Sequence, residues 1–76
     1  MNAAMFLTMK YNKMLLTLEE ACSEIGMAKG TAHNKIGNGT FPLPSRIAGK
    51  NRIVDVRDLG EYIDREREQA LQTFNL

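Results

Sequence analysis

Five cationic side chains and the only histidine of this chain lie in a thirty-residue segment that contains no acid. The segment runs from Ile25 to Val54, and all nine acidic residues lie outside it, although the net charge of the whole chain is only +1. A polyanion responds to the local potential rather than to the average charge of the molecule. The pattern therefore predicts a surface that binds nucleic-acid phosphates, through side chains on Lys29, His33, Lys35, Arg46, Lys50 and Arg52.

Two side chains, His33 and Cys22, could carry catalytic or metal chemistry, and their surroundings argue against it. A metal site needs three or four ligands, and His33 has no candidate partner nearby except Cys22. Cys22 itself falls on an apolar stripe at helical spacing, which predicts a buried and inert thiol. There is no glycine-rich phosphate loop and no Ser-His-Asp order. We therefore expect no enzymatic activity, no metal and no cofactor.

The length and composition predict one small soluble domain, residues 1–76. A single cysteine excludes an internal disulfide framework and favours a reducing cytoplasm. No Lys or Arg precedes the first apolar run, and Lys10 interrupts it, so we expect no export signal. No stretch approaches the roughly 20 apolar residues that span a bilayer, so we expect no membrane partner.

The first half of the chain predicts an N-terminal helix followed by two helices joined at a turn. Residues 3–10 fit a short helix, and Met14 to Leu16 fit a brief extended segment. Thr17 and Glu20 then have the spacing of a capping box, which begins a second helix. Gly26 is suited to end that helix because it tolerates positive φ. Its buried stripe is predicted to be Leu18, Ala21, Cys22 and Ile25.

The segment from Ala28 to Ile36 predicts a further helix that is intrinsically weak. Gly30 costs roughly 1 kcal/mol relative to alanine, so packing must hold this helix in place. Ala32 and Ile36, four residues apart, are predicted to face the core. The opposite, solvent-facing side then carries Gly30, Thr31, His33 and Asn34, with Lys29 and Lys35 on the flanks.

The second half of the chain predicts a small basic hairpin and a last helix. Two short strands, Arg46-Ile47 and Ile53-Val54, are joined by the five residues Ala48–Arg52. Asp55 is suited to cap the next helix, with Asp58 as its partner at the third helical position. The inner face of that helix is predicted to consist of Leu59, Tyr62 and Ile63.

These elements together predict an α+β, mostly α, winged helix-turn-helix over residues 15–68. Residues 1–14 form an N-terminal extension, and residues 69–76 a tail or an extension of the last helix. In such a fold the second helix enters a major groove about 12 Å wide. We assign Thr31, His33 and Asn34 to base edges, and the phosphate and wing contacts to Lys29, Lys35, Arg46, Lys50, Asn51 and Arg52.

The apolar residues near the two ends admit two interpretations. They either pack together and complete one core, or they form the contact of a homodimer or of an oligomer assembled on DNA. Small winged modules bury only roughly 600–1,000 Å² on DNA and gain affinity by pairing, which favours self-association. The residues concerned are Met5, Phe6, Met9, Leu71 and Phe74.

The sequence also resembles known families in several blocks. The blocks are LLTLEEAC, GMAKGT, the G-x-F-P-x-P pattern at Gly39 to Pro44, the wing from Arg46 to Val54, and DLGEYIDR at Asp58 to Arg65. Together they resemble the AlpA-like and excisionase-like winged-helix proteins of prophages, which are relatives of the MerR DNA-binding domain. MFLTMKYN at Met5 to Asn12, taken with Phe41 to Pro44 and DLGEYIDR, is more similar to the pyocin activator proteins.

This resemblance implies a bacterial, nucleoid-associated transcription activator of a prophage that binds promoter DNA, with RNA polymerase as a further partner. Its excisionase branch implies instead a factor that bends attachment-site DNA and recruits an integrase. A third alternative is a phage adaptor that binds proteins and does not bind DNA. Carried over by position, the resemblance implies DNA contacts at Lys29, Gly30, Thr31, His33 and Asn34, and wing contacts at Lys50 and Arg52.

The chain departs from the AlpA-like pattern at two places in the second helix of the motif. Ala28 stands where the pattern has a capping serine, and His33-Asn34 stands where it has a Tyr-Arg pair. Both differences lie on or beside the predicted DNA-facing surface. They leave the predicted fold intact, but they remove any basis for transferring a target sequence.

Overall fold

Residues 2–75, the part of the chain that the computed structural model describes, form four helices and three short strands. Met1 and Leu76, which the predicted domain includes, lie outside it. The α+β class with mostly helical content is confirmed. The elements in order are α1 Ala3–Tyr11, β1 Leu15–Thr17, α2 Leu18–Ile25, α3 Lys29–Gly37, β2 Arg46–Ala48, β3 Asn51–Asp55 and α4 Val56–Phe74.

Both predicted ends of α2 are confirmed. The Thr17 hydroxyl accepts from the Glu20 backbone N–H at 3.1 Å, and the Glu20 carboxylate accepts from the Thr17 N–H at 2.9 Å. Gly26 follows the helix with φ +71°, the left-handed conformation that glycine adopts without strain. The predicted stripe faces the core, where burial raises the pKa of the Cys22 thiol and keeps it neutral.

The strands form one antiparallel sheet in the order β1-β3-β2. The prediction of a two-stranded wing was therefore incomplete, because β1 pairs with the far edge of β3, with Leu16 opposite Val54. The predicted five-residue connection was also too long. The strands extend to Ala48 and Asn51, and a two-residue turn at Gly49-Lys50 joins them. Gly49 allows that tight turn because it has φ +64°.

A close helix–helix contact completes the core. Leu16, Val54 and Leu59 are almost fully buried between the sheet and the helices. Helix α1 packs across α4 where Ala4 lies against Gly60. A side chain at Gly60 would collide with α1, since an ideal Cβ there lies 2.5 Å from the Ala4 backbone nitrogen. The absence of a side chain at this glycine therefore fixes how closely the two helices approach.

The start of α4 differs from the prediction in its capping partner. Asp55 is the N-cap, but its carboxylate accepts from the Arg57 backbone N–H at 2.8 Å and from the Arg57 guanidinium at 2.7 and 3.0 Å. Within residues 2–75, Asp58 makes no reciprocal bond, because a capping box needs the longer Glu or Gln side chain. Hydrogen bonds from Arg57 lower the pKa of Asp55 to about 2.

The apolar residues near the chain ends do not complete the core. The predicted face of α1 points to solvent, with Met9 70% exposed, and Leu7 is the buried residue of this helix instead. Helix α4 continues to Phe74, which is 85% exposed. The one-core interpretation was wrong for these residues, because all five are exposed, whereas α1 contributes Leu7 to the core and Ala4 to the contact with Gly60.

Candidate nucleic-acid interface

Helix α3 presents the face that the sequence predicts. It begins one residue later than expected, at Lys29, with Ala28 as an N-cap that makes no side-chain capping bond. Ala32 is fully buried and Ile36 partly so, and α3 packs chiefly against α2. Gly30 and Asn34 lie two residues on either side of Ala32, which places them on the opposite side of the helix. The exposed residues on α3 include Lys29, Gly30, Thr31, His33 and Asn34.

A shallow groove joins the start of α3 to the tip of the hairpin. Its volume is about 280 Å³, and we call it the interface groove. Three predicted cationic residues meet there, although Lys29 is more than twenty positions from Lys50 and Arg52 in the sequence. Arg52 is held by a hydrogen bond from its Nη1 to the Ser45 Oγ at 2.9 Å. The groove is lined by Thr17, Leu18, Glu19, Lys29, Lys50, Asn51 and Arg52.

Two of the five predicted Lys and Arg contacts, Arg46 and Lys35, lie away from this groove. Arg46 pairs with Ile53, whereas Ile47 pairs with Arg52, so Arg46 and Arg52 project from opposite faces of the hairpin. Arg46 lies beside Asp55 and Asp58. Lys35 is half-buried and lies about 120° around α3 from Lys29. The cations of the acid-free segment therefore do not form one continuous row.

Ion pairing divides the cations into two groups. Outside the acid-free segment, four of the five Lys and Arg side chains pair with carboxylates: Lys10 with Glu24, Lys13 with Glu20, Arg57 with Asp55 and Arg65 with Glu61. Inside it, Lys29 alone has a partner among the residues described, at the long distance of 3.9 Å from Glu19. The positive charge around α3 and the hairpin is thus largely uncompensated.

One of the paired acids, Glu24, joins α1 to α2. Glu24 accepts from the Tyr11 hydroxyl at 2.6 Å and from the Lys10 ammonium, which ties the end of α1 to α2. These hydrogen bonds, the one from Lys10 first, lower the pKa of Glu24. The hydrogen bond that the Tyr11 hydroxyl donates to Glu24 raises the pKa of Tyr11 to about 12, because only the neutral phenol can donate it.

The sequence did not indicate three residues of the groove wall. The sequence predicts Thr17 as the cap of α2 and Leu18 as part of its buried stripe, and nothing in the spacing places these residues or Glu19 opposite the hairpin tip. The Ser45 contact to Arg52 was also missed. The pairing of β1 with β3 could have located them, since it sets Thr17 beside Ile53, next to Arg52.

Comparisons with known protein families, with curated proteins and with solved structures gave no match. Over residues 2–75, no helix combines the length and the apolar character needed to cross a membrane. The same stretch contains no cluster of three or more side chains arranged to hold a metal ion. Fold class and local geometry are therefore the observations on which a function can be proposed.

Proposed function

We propose that this chain is a winged helix-turn-helix protein that binds double-stranded DNA in a sequence-specific manner. In this proposal α3 is the recognition helix and the β2–β3 hairpin is the wing. The observation that carries it is the uncompensated charge of Lys50 and Arg52 beside Lys29 and the exposed face of α3. Cations without carboxylate partners are free to replace the counterions of a phosphate backbone.

The geometry of α3 supports its role as a recognition helix. A helix with its side chains is about 10–12 Å across, which matches the major groove. The exposed side chains Thr31, His33 and Asn34 can reach base edges, and the N-terminal N–H groups of α3 are not capped by a side chain. Unbonded N–H groups at a helix start favour a phosphate. Lys29 adds a cation at the same end of the helix.

The biological role within this function follows the family resemblance. We propose a non-catalytic transcription regulator, acting as an activator, of a prophage or similar element in a bacterial cytoplasm, with RNA polymerase as a further partner. The same surface would serve an excision factor that bends attachment-site DNA and recruits an integrase. Footprints upstream of a promoter support the activator, and footprints on repeats beside an attachment site support the excision factor.

Asn34 is the residue we expect to select a base. The experiment first determines the preferred DNA sequence, by selecting duplexes from a random library with the wild-type chain. Because asparagine can bond adenine bidentately, Asn34→Ala is expected to lose about 1–3 kcal/mol of discrimination at one base pair. The measurement is the affinity for the selected duplex and for its single-base variants. Unchanged preference at every position would remove Asn34 as a specifying residue.

Gly30→Ala is expected to have opposite effects on stability and on DNA binding. A Cβ at Gly30 meets nothing within 4 Å, so alanine should raise the free energy of unfolding by up to about 1 kcal/mol. The added methyl group lies on the outer face of α3 and should weaken DNA binding about tenfold, or 1.4 kcal/mol. Thermal melts and fluorescence anisotropy give the two values. A stabilised variant with full affinity would show that DNA does not approach Gly30.

We also propose that the exposed apolar ends mediate self-association. A mainly apolar groove of about 330 Å³ opens beside α1, bordered by Met5, Met9 and Met14.

Phe74→Ser is expected to raise the dimer dissociation constant at least tenfold, since burying a phenylalanine contributes roughly 1.5–3 kcal/mol. Sedimentation equilibrium measures this constant. Ile47→Ser, a change at an exposed isoleucine of the wing, is the control, and equal effects of the two changes would contradict the proposal.

A further inference from the structure

One carboxylate, that of Glu19, lies among the cations of the interface groove. Glu19, at the start of α2, lines the groove together with Lys29, Lys50 and Arg52. Its Oε2 lies 3.9 Å from the Lys29 Nζ, and its side chain is 77% exposed. No other acidic residue lines the groove within the described residues 2–75. An acid at this position is unfavourable for a surface that binds phosphates.

Glu19 contributes little to the stability of the fold. Its neighbour Glu20 completes the capping box and pairs with Lys13 at 2.8 Å, which accounts for an acid at that position. Glu19, by contrast, accepts no hydrogen bond from any residue between 2 and 75. Its first-turn position favours the helix dipole slightly, and an exposed ion pair as long as that with Lys29 contributes little to stability.

We propose that Glu19 limits the affinity of the interface groove for DNA of any sequence. This inference rests on the proposed DNA-binding function and deepens it. In the free protein the carboxylate attracts the Lys29 ammonium. When a phosphate contacts Lys29, it approaches the Glu19 carboxylate, and the two negative charges repel each other. The effect acts on backbone contacts, so it weakens binding uniformly and keeps it readily reversible.

A different role for the carboxylate would have a different signature. A glutamate can accept from the amino group of cytosine in the major groove, and such a contact would strengthen binding to one sequence. Glu19 lies on α2, at the flank of α3 and next to the hairpin tip, rather than on the outer face that carries Asn34. That position favours contact with the backbone over contact with a base.

Glu61 provides a matched control. Its side chain is 72% exposed and makes a similarly long ion pair, 3.8 Å from the Arg65 guanidinium, but it lies on α4 and outside the groove. Glu19→Gln and Glu61→Gln therefore remove the same charge and the same type of contact. Both substitutions keep the shape and helix propensity of the side chain, and thermal melts should confirm that both variants fold like the wild type.

The test is a fluorescence anisotropy titration of each protein on a selected duplex and on a scrambled duplex of equal length, at low and at high salt. Glu19→Gln is expected to tighten binding to both duplexes by a similar factor, about three- to tenfold at low salt, with a smaller gain at high salt because the repulsion is screened. Glu61→Gln is expected to change either affinity less than about twofold.

Two results would overturn the role of Glu19 alone: a gain no larger than that of Glu61→Gln, or a loss of affinity confined to the selected duplex. The second result would identify the carboxylate as a base-reading group. A wild-type chain that binds neither duplex at low salt would instead remove the proposed DNA-binding function, and the role of Glu19 with it.

Discussion

Gly60→Ala is expected to lower the free energy of unfolding by about 2 kcal/mol. Alanine gains up to about 1 kcal/mol in helix propensity, but its methyl group would lie 2.5–2.7 Å from atoms of Ala4. Two of those atoms are backbone, so no side-chain rotation can relieve the overlap. Helix α1 must move away from α4 and partly expose Leu7. Overpacking typically costs about 1–3 kcal/mol, and because this overlap is with backbone we expect about 3 kcal/mol, which leaves a net loss of about 2 kcal/mol.

Thermal unfolding followed by circular dichroism measures this effect. For a domain of this size, each kcal/mol shifts the midpoint by about 4–8 °C, so a fall of about 8–16 °C is expected. Gly30→Ala, the same substitution in open space on α3, is the control and should shift the midpoint upward. A Gly60→Ala variant as stable as the wild type would contradict the α1–α4 contact. Below its melting temperature the variant should still bind DNA, because α3 packs chiefly on α2.

Removing the two hairpin cations that line the interface groove, with Lys50→Ala and Arg52→Ala together, is expected to weaken binding to every DNA sequence about 30- to 100-fold at low salt. Charge-assisted hydrogen bonds contribute about 1.5–3 kcal/mol each, and neighbouring contacts do not add in full. Each lost phosphate contact should also reduce the slope of log affinity against log salt by about one unit. Anisotropy titrations at several salt concentrations measure both quantities.

Arg67→Ala controls for the loss of positive charge. Arg67 is exposed on α4, far along the chain from the hairpin, and makes no ion pair within the described part of the chain. Its removal should leave the salt slope unchanged. Because Arg52 also bonds Ser45, the single Lys50→Ala variant separates phosphate contact from damage to the hairpin. A double variant with wild-type affinity and slope would exclude the hairpin as a wing.

Local chemistry explains why much of the fold could be predicted. The capping box of Thr17 and Glu20 and the left-handed Gly26 are short-range features whose partners lie within a few residues in the sequence. Apolar spacing likewise predicted which side of α3 is buried, because Ala32 and Ile36 fall on one helical face. The same spacing predicts the outward face, which carries the candidate base-reading residues.

Contacts between distant residues could not be predicted in the same way. Nothing local shows that β1 joins the sheet, since its three residues find their partners at Ile53, Val54 and Asp55. The position of Glu19 opposite the hairpin depends on that pairing. The exposed Met5, Phe6 and Met9 were equally ambiguous, because apolar residues on a short helix look alike whether they face a core or a partner.

The most direct test of the proposed function is a salt series with the wild-type chain on a random-sequence duplex, followed by fluorescence anisotropy. Three cations line the interface groove and Lys35 lies on the other flank of α3. At about 0.9 per neutralised phosphate, the predicted slope of log affinity against log salt is about −3 to −4. Absence of binding at about 50 mM salt, or binding with a slope near zero, would contradict a phosphate-contacting surface.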